Sequence, residues 1–285
     1  MVQLVQHEAL DAATEGFKKA LTVKLGEDSV TFDYQNASGD TANCTTIVNG
    51  FVANKVDLIM ANATPALQAA YNATQTIPIL GTSVTEYGVA LGIENLNGTV
   101  GANVSGTSDL APLDEQAQMI VDLFPEAKTV GLLYCNAEAN SQYQVKVVKE
   151  CLEAKGITCK TYTFSDSNDI SAVTTAAAAE IDVLYIPTDN AAAASAEIIG
   201  NILRDKKIPA IAGEEGICAK CGVATHSISY YDLGYKTGEM AAEVLTGSKK
   251  IEEMPIAYAP TTKKYNKDFA DVLGITMPEG YEAIK

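Results

Sequence analysis

Short apolar runs alternate with amphipathic stretches along the whole chain. Between residues 8 and 21, for example, Leu10, Ala13, Phe17 and Ala20 recur at helical spacing and share one face. The short apolar runs predict strands over 1–6, 30–34, 56–60, 77–80, 130–134, 158–162, 183–186 and 209–212. The amphipathic stretches predict helices over 8–21, 41–54, 112–124, 140–155, 168–179, 192–206 and 230–245, with a further helix after Pro65. Apolar strands that alternate with helices imply parallel sheets covered on both faces, so the pattern predicts an α/β fold.

Two parts of the chain repeat the same order of elements. Each runs from a strand through a polar turn and a helix to a second strand that opens with Ile-Pro, at 77–78 and again at 208–209. Any two βαβ units share this order, so chance is one explanation and a pair of related lobes is the other. The Ile-Pro at the same place in both parts favours two Rossmann-like lobes.

Small polar stretches mark the places where the chain is expected to pass between the lobes. The first is 105–109, and further crossings are expected near 227–229 and 257–260. Three strands that join two parallel-sheet lobes form a hinge, and hinged lobes close over ligands. The predicted lobes are 1–107 with 230–256 and 108–229 with 257–285.

The charge balance excludes several classes of protein. The chain has 20 Lys+Arg and 36 Asp+Glu, and its net charge of −16 is unsuited to binding the phosphates of nucleic acids. It also lacks a run of about 18 apolar residues that could span a membrane. The chain opens within an expected strand, which favours an exported protein whose signal segment has been removed over a cytosolic one.

Polar side chains gather where the predicted strands end. Open parallel sheets bind ligands beyond the carboxyl ends of their strands, so these residues form the candidate binding site. Hinge closure would bring the clusters of both lobes together across a cleft. The clusters are Gln6-His7, Asn62–Thr64, Thr82–Glu86, Asn136–Ser141, Thr188–Asn190 and Glu214-Glu215.

Several segments, in one order along the chain, resemble the ABC-transporter substrate-binding proteins of the tryptophan/tyrosine type. They are VQHEALD at 5–11, ATPA at 63–66, IPTDN at 186–190, GEEG at 213–216 and YYDLG at 230–234. The resemblance implies a type I periplasmic-binding-protein fold with two lobes. It also implies an extracytoplasmic, often lipid-anchored receptor that delivers an amino acid, here expected to be aromatic, to ABC transporter permease subunits. We expect such a receptor to be a monomer.

A free amino acid needs a partner for its carboxylate group. Helix N-termini bind carboxylates through unpaired N–H groups and through the helix dipole. Thr64 stands at such a terminus, directly before Pro65, and is therefore the first candidate, with Ser83 and Thr85 able to complete the site. The alternative role of Thr64 is to cap the helix.

The ammonium group of an amino acid needs an acidic partner, because a desolvated cation is stable only beside an anion. Asp189 and Glu214 are the candidates. The alternative for Asp189 is to cap the following helix, and the alternative for Glu214 is to be a solvated acid in a loop.

Further ligand contacts are expected from residues that share these clusters or that offer an aromatic ring for stacking. Asn140 and Ser141 could equally cap the helix that they open, a lone histidine is more often structural, and tyrosines on helices more often pack into the interior. The further candidates are Gln6, His7, Glu86, Asn140, Ser141, Asn190, Tyr87, Tyr143, Tyr230 and Tyr231.

Cys218 and Cys221 form a Cys-x-x-Cys motif in an expected loop, with His226 nearby. Such a motif can be a redox pair, a disulfide or half of a zinc site. A structural zinc site needs four ligands, and no second cluster of Cys and His is evident in the sequence. A local disulfide or two free thiols are therefore the favoured interpretations, and no metal is expected. His226 stands where the resemblance leads us to expect an apolar strand residue.

The sequence gives no support for catalysis or for a cofactor. Glycine motifs for phosphate binding are absent, and two histidines offer little material for a Ser–His relay. A rival enzyme, such as an amino-acid racemase, would have to act through Cys135 or Cys221. The other rivals are the ligand-sensing domain of a regulator and a binding protein for a sugar or another small solute.

Overall fold

The computed structural model describes residues 1–284 and consists of two compact units. Unit 1 comprises Met1–Leu110 and Ser229–Pro260, and unit 2 comprises Ala111–Ile228 and the chain from Thr261 onward. The chain therefore passes from one unit to the other at residues 110, 228 and 260. Each unit has a sheet with helices packed against it.

Unit 1 is built on a sheet in which all neighbouring strands are parallel. Its strands, numbered along the whole chain, are β1 (Val2–Gln3), β2 (Gln35–Asn36), β3 (Ile59–Asn62), β4 (Ile79–Val84), β5 (Val104–Ser108) and β11 (Ala257–Tyr258). They lie in the order β11-β5-β4-β3-β1-β2. Its α-helices are α1 (Glu8–Leu25), α2 (Thr41–Ala53), α3 (Thr64–Ala73), α4 (Tyr87–Leu91) and α11 (Tyr230–Leu245).

Unit 2 is built on a sheet with one antiparallel pair, the fifth strand with the sixth. Its strands are β6 (Thr129–Cys135), β7 (Thr158–Phe164), β8 (Val183–Ile186), β9 (Ala210–Ala212), β10 (Ala224–Ile228), β12 (Thr261–Tyr265) and β13 (Glu282–Ala283). They lie in the order β13-β12-β10-β9-β8-β6-β7, and β10 runs antiparallel to β12. Its helices are α5 (Leu113–Leu123), α6 (Ala139–Glu153), α7 (Ile170–Ala178), α8 (Asn190–Ala194), α9 (Ala196–Lys206), α10 (Glu215–Cys221) and α12 (Lys267–Leu273).

Successive residues of the central strands of unit 1 pack into two separate hydrophobic clusters. Ile79 of β4 lies in one cluster with Ile59 of β3, whereas Leu80 of β4 lies in the other with Met60 of β3. Successive side chains of a strand point to opposite faces of the sheet, so a sheet covered on both faces requires continuous apolar runs. The structure confirms the α/β fold that these runs predict.

Close packing of α1 on α11 positions the start of α11, and with it Tyr230, within unit 1. The approach of the two helices depends on glycine. A Cβ at Gly16 would collide with the backbone of Tyr231, and a Cβ at Gly234 would collide with the backbone of Ala13. Any side chain larger than hydrogen at either position would therefore push the helices apart.

Two of the differences between the structure and the predicted elements lie at 30–34 and at Ser195. The run 30–34 is not a strand, and pairing with β1 begins only at Gln35. Thr31 and Asp33 are exposed and polar, so half of this run has no apolar surface to bury. The predicted helix over 192–206 is interrupted at Ser195, which separates α8 from α9.

The boundaries of the units lie at 110, 228 and 260 rather than at the predicted 107, 229 and 256. The first and last boundaries come later because β5 extends to Ser108 and because β11 pairs with it in parallel. Both strands therefore stay in unit 1 to their ends.

Candidate functional site

The carboxyl ends of three neighbouring strands lie side by side in unit 1. Asn62 pairs with Thr82 across β3 and β4, and Val84 pairs with Ser108 across β4 and β5. Residues that follow these strands therefore gather at the edge where open parallel sheets bind ligands. We call the residues 62–64, 82–86 and 107–109 the unit 1 edge.

Two residues of the unit 1 edge have a backbone conformation that favours glycine. Ala63 has a φ of 91° and Ser83 has a φ of 54°. Such conformations in other residues cost about 1–3 kcal/mol each and cluster at functional sites. Ala63 directly precedes α3, and Ser83 lies where the register between β4 and β5 shifts. Backbone strain therefore marks the same strand ends.

Several buried polar atoms at the unit 1 edge have no hydrogen-bond partner among residues 1–284. They are Asn62 Oδ1, Thr64 Oγ1, Ser83 Oγ and Asp109 Oδ1. Leaving a buried donor or acceptor unpaired costs about 1–3 kcal/mol. A bound group that paired these atoms would recover that free energy.

The hydroxyl of Thr64 does not cap α3. Thr64 is the first residue of this helix, Pro65 follows it, and the residue in the N-cap position is Ala63. The first N–H groups of an α-helix have no partner within the helix. The hydroxyls of Thr64 and Ser83 and these N–H groups are therefore donors suited to an anionic group.

Asp109 also lies at the unit 1 edge, although it was not among the residues predicted from the sequence. It is only 5% exposed, and its Oδ2 accepts a hydrogen bond of 2.9 Å from the hydroxyl of Tyr230. Burial raises the pKa of Asp109, while hydrogen bonds from Tyr230 and Thr85 lower it, and burial prevails. The stretch 105–109 has the composition of a linker. The signal that could have identified Asp109 is its position directly after a strand.

A chain of buried hydroxyl groups links β4, β5 and α11. Thr82 Oγ1 lies 3.3 Å from Thr107 Oγ1, which lies 2.8 Å from Thr237 Oγ1. Thr237 donates to the carbonyl oxygen of Leu233 at 2.9 Å. These hydrogen bonds hold the end of β4 to the first half of α11.

Tyr87 is a core residue, which corrects the prediction that its ring could stack on a ligand. The side chain is 2% exposed and packs against Gly81 and Gly106. Its hydroxyl donates to the carbonyl oxygen of Thr107 at 3.1 Å. The preceding residue, Glu86, caps α4 by accepting hydrogen bonds from two N–H groups of the first turn.

In unit 2, Asp189 is bound by donors of its own unit. Its Oδ1 accepts a hydrogen bond of 2.8 Å from the Ala192 N–H. Its Oδ2 accepts hydrogen bonds of 2.7 Å from the Cys135 N–H and 2.7 Å from the Ser141 hydroxyl. Both oxygens are occupied, so the structure shows the capping role that the sequence left open for Asp189.

Glu138 is a second buried acid beside Asp189; it lies within the predicted cluster 136–141 but was not singled out as a candidate. Its carboxylate accepts hydrogen bonds from the side-chain amides of Asn140 at 3.0 Å and Asn190 at 2.6 Å, and from the Ala191 N–H at 3.0 Å. Burial raises the pKa of Asp189, and the negative charge of Glu138 raises it further. Together these two causes bring the pKa of Asp189 to about 8.

Asn140 keeps a buried oxygen without a partner in the described residues, whereas both carboxylate oxygens of Glu214 accept hydrogen bonds. Asn140 Nδ2 donates to Glu138 and to the carbonyl oxygen of Thr188 at 2.9 Å, whereas its Oδ1 has no partner within the described chain. Glu214 is 3% exposed and caps α10, with one oxygen accepting from the Gly216 N–H at 2.7 Å. Glu214 is therefore a buried helix cap and not the solvated loop acid that the sequence allowed.

The remaining candidate residues differ in exposure. Gln6 is exposed and His7 is half-buried at the start of α1, which it does not cap through its side chain. Tyr143 is half-buried on α6. Tyr231 is 39% exposed on α11, with its ring 6.4 Å from the ring of Tyr235.

Cys218 and Cys221 are free thiols in the interior of unit 2, so the disulfide interpretation is wrong. They lie on α10, where a loop was expected, and burial raises the pKa of both. Residues 1–284 contain no group of His, Cys, Asp and Glu placed to hold a metal ion. His226 is 6% exposed, its Nδ1 lies 3.3 Å from Glu115 Oε2, and burial lowers its pKa.

Comparison with known proteins identifies the family. Residues 1–283 match the family model described as ABC transporter substrate binding protein. A relative from Clostridioides difficile (strain R20291), described as a tyrosine-binding protein, is 39% identical over 263 residues, which are 92% of this chain and 76% of the relative. The chain belongs to the ABC transporter substrate binding protein family. Within residues 1–284, no helix has the length and the apolar character needed to cross a bilayer.

Two solved structures share the fold along almost the whole chain. A domain from Streptococcus pneumonia in complex with L-Trp has a TM-score of 0.93 and 31% identity, and the match covers 99% of both chains. A ligand-free, open structure of a substrate binding protein with adhesive properties from Clostridium difficile has a TM-score of 0.74 and 39% identity. That match covers 100% of this chain and 97% of the other. Both comparisons support the type I periplasmic-binding-protein fold.

Proposed function

We propose that this protein binds an aromatic amino acid outside the cytoplasm and delivers it to the permease subunits of an ABC importer. The family supports the transport role, because its members are the solute-binding components of such transporters. Relatives described as tyrosine-binding and solved with L-Trp support the ligand class. In this role the ligand is released unchanged, so we expect no turnover. We also propose that the protein is a monomer and that a lipid anchor holds it at the membrane.

We prefer an amino acid to a sugar as the ligand because the buried hydroxyls of Thr64 and Ser83 have no hydrogen-bond partner in the described residues. A carboxylate would accept hydrogen bonds from both hydroxyls and from the first N–H groups of α3, and the helix dipole would stabilise its charge. A sugar lacks a full negative charge and would gain less from a helix N-terminus.

Asn140 stays a predicted contact of the ligand's ammonium group. An ammonium group has three donors, and Asn140 Oδ1 is a buried acceptor without a partner in the described residues. Glu138 and Asp189 lie next to Asn140 and accept hydrogen bonds from donors of their own unit. Contacts from Gln6, His7, Asn190 and Tyr230 stay predictions.

Calorimetric titration with a ligand panel tests the proposal. The panel contains tyrosine, tryptophan and phenylalanine, with leucine, glucose and tyramine as controls. Tyramine keeps the ring and the amine of tyrosine but lacks the carboxylate, so we expect it to bind at least about 10-fold more weakly, the value of one charge-assisted hydrogen bond. The chain has no Trp, so tryptophan binding can also be followed by the fluorescence of the ligand. Binding of glucose without binding of any amino acid would refute the proposal.

A further inference from the structure

Asp109 is a buried carboxylate at the unit 1 edge. It follows β5 directly, and its N–H donates to the carbonyl oxygen of Val84 at 3.2 Å. Ser108, the last residue of β5, donates through its hydroxyl to the carbonyl oxygen of Thr85 at 2.8 Å. These bonds fix Asp109 beside the strand end that carries Ser83 and Thr85.

All the donors that hold the side chain of Asp109 are uncharged. Tyr230 donates to Oδ2, and Thr85 also hydrogen-bonds the side chain. Oδ1 has no partner in the described part of the chain, and no lysine, arginine or histidine there forms an ion pair with Asp109. A buried carboxylate without a cation is costly unless a partner neutralises it.

The other buried acids within residues 1–284 differ from Asp109 in this respect. Asp189, Glu138 and Glu214 each accept hydrogen bonds from backbone N–H groups at the start of a helix. Both oxygens of each of these three acids are occupied by hydrogen bonds. Asp109 is the buried acid that keeps an oxygen open.

We propose that Asp109 binds the ammonium group of the amino-acid ligand through Oδ1, while Tyr230 and Thr85 hold the carboxylate in position. The proposal rests on the proposed function, because it concerns the same ligand. The hydroxyls of Thr64 and Ser83, proposed to bind the ligand's carboxylate, belong to the same edge of the sheet. One carbon atom separates the two charged groups of an α-amino acid, so both must be bound at neighbouring positions.

Titration of two ligands into two variants tests this role. The first ligand is tyrosine or tryptophan, whichever the wild type binds more tightly. The second is its desamino analogue, 3-(4-hydroxyphenyl)propionate or indole-3-propionate, which keeps the ring and the carboxylate. Asp109→Asn should weaken binding of the amino acid by about 30-fold or more, because it removes the charge that pairs with a buried ammonium group. Binding of the desamino analogue should change less than about threefold. Asp189→Asn is the matched control, and its selective loss should be smaller.

Three outcomes would overturn the role of Asp109. The first is an equal loss of affinity for both ligands in Asp109→Asn, and the second is no loss of affinity for either ligand. The third is a loss of affinity confined to the amino acid that is larger in Asp189→Asn than in Asp109→Asn. Wild-type protein that binds no amino acid at all would instead refute the proposed function, so the two failures are distinguishable. If Asp109→Asn does not fold, as judged by circular dichroism, Tyr230→Phe replaces it. That variant keeps the carboxylate but removes a bond that positions it, so a loss confined to the amino-bearing ligand supports the role and an equal loss overturns it.

Discussion

The two units complete the ends of their strands in different ways. In unit 2, the oxygens of the buried acids Asp189 and Glu214 accept hydrogen bonds from donors of unit 2 itself. In unit 1, Thr64, Ser83 and Asp109 each keep a buried polar atom without a partner in the described chain. Apart from Asn140 Oδ1, the buried side-chain atoms that follow β6, β8 and β9 in unit 2 have partners in the described chain, whereas several at the unit 1 edge do not.

This difference indicates that the paired acids of unit 2 stabilise the fold, whereas the unpaired groups of the unit 1 edge are available to bind a ligand. A paired buried group contributes to the free energy of unfolding, and an unpaired one lowers it until a partner arrives. The strained backbone at Ala63 and Ser83 also belongs to unit 1, the unit whose strand ends keep unpaired polar atoms. We therefore expect substitutions at the unit 2 acids to affect stability, and substitutions at the unit 1 edge to affect binding.

The largest expected effect is on the stability of unit 2. Asp189→Ala leaves the N–H groups of Cys135 and Ala192 and the hydroxyl of Ser141 without their acceptor. We expect the free energy of unfolding, measured in urea by circular dichroism, to fall by about 3 kcal/mol. Asp205→Ala, at an exposed position of α9, is the control and should stay within about 0.5 kcal/mol of the wild type. A loss below about 1 kcal/mol at Asp189 would contradict the view that its hydrogen bonds are structural.

Thr64→Val tests the opposite expectation for unit 1. The substitution keeps the shape of the side chain and removes an unpaired buried hydroxyl, so stability should be unchanged or slightly higher. Affinity for the amino acid should fall by about 10- to 100-fold, the value of a hydrogen bond to a charged group. Thr45→Val, at an exposed position of α2, is the control and should change neither quantity. Unchanged affinity in Thr64→Val would remove Thr64 from the site.

Ala63→Gly measures the strain at the unit 1 edge. Glycine adopts a φ of 91° without steric cost, so we expect this variant to be about 1 kcal/mol more stable than the wild type. Ala69→Gly, inside α3, should be about 1 kcal/mol less stable, since glycine is unfavourable in a helix. Thermal melting compares the two, and a decrease in stability for both would show that Ala63 is not strained.

The smallest expected effect concerns His226, which lies in β10. Burial lowers the pKa of His226 below its ordinary value of 6.5, Glu115 and Asp114 oppose this shift, and Lys263 adds to it. The unfolded chain therefore binds a proton more readily than the folded protein, and stability is lost as the pH falls through about 6.5. We expect the wild type to lose more stability than His226→Gln when the pH falls from about 8 to about 5. Equal losses in urea titrations at the two pH values would mean that His226 does not contribute.

Local patterns were sufficient to predict the segments that form most of the central strands and the polar residues that lie near their ends. The alternation of apolar runs with amphipathic stretches is a property of neighbouring residues, and the α/β class of the fold follows from it. It was misleading at 30–34, where polar residues interrupt the run and no partner strand covers it. The same local information predicted a polar cluster around Asp189 but could not show which atoms of that cluster are already paired.

Pairing depends on residues that are distant in sequence. The bond from the Cys135 N–H to Asp189 spans 54 residues, and the bond from Tyr230 to Asp109 spans 121. No spacing rule connects such positions. The sequence therefore placed Asp109 in a linker, and only the folded chain brings it to Tyr230 and Thr85 while leaving one of its oxygens open.

The chain of hydroxyls through Thr82, Thr107 and Thr237 can be ordered in only one direction. Each hydroxyl carries a single proton, and the proton of Thr237 goes to the carbonyl oxygen of Leu233. Thr107 must therefore donate to Thr237, and Thr82 must donate to Thr107. The Thr82 oxygen is left with lone pairs and no proton to give. The Thr82 hydroxyl can therefore accept a further hydrogen bond but cannot donate one. A polar group that binds there must be a hydrogen-bond donor.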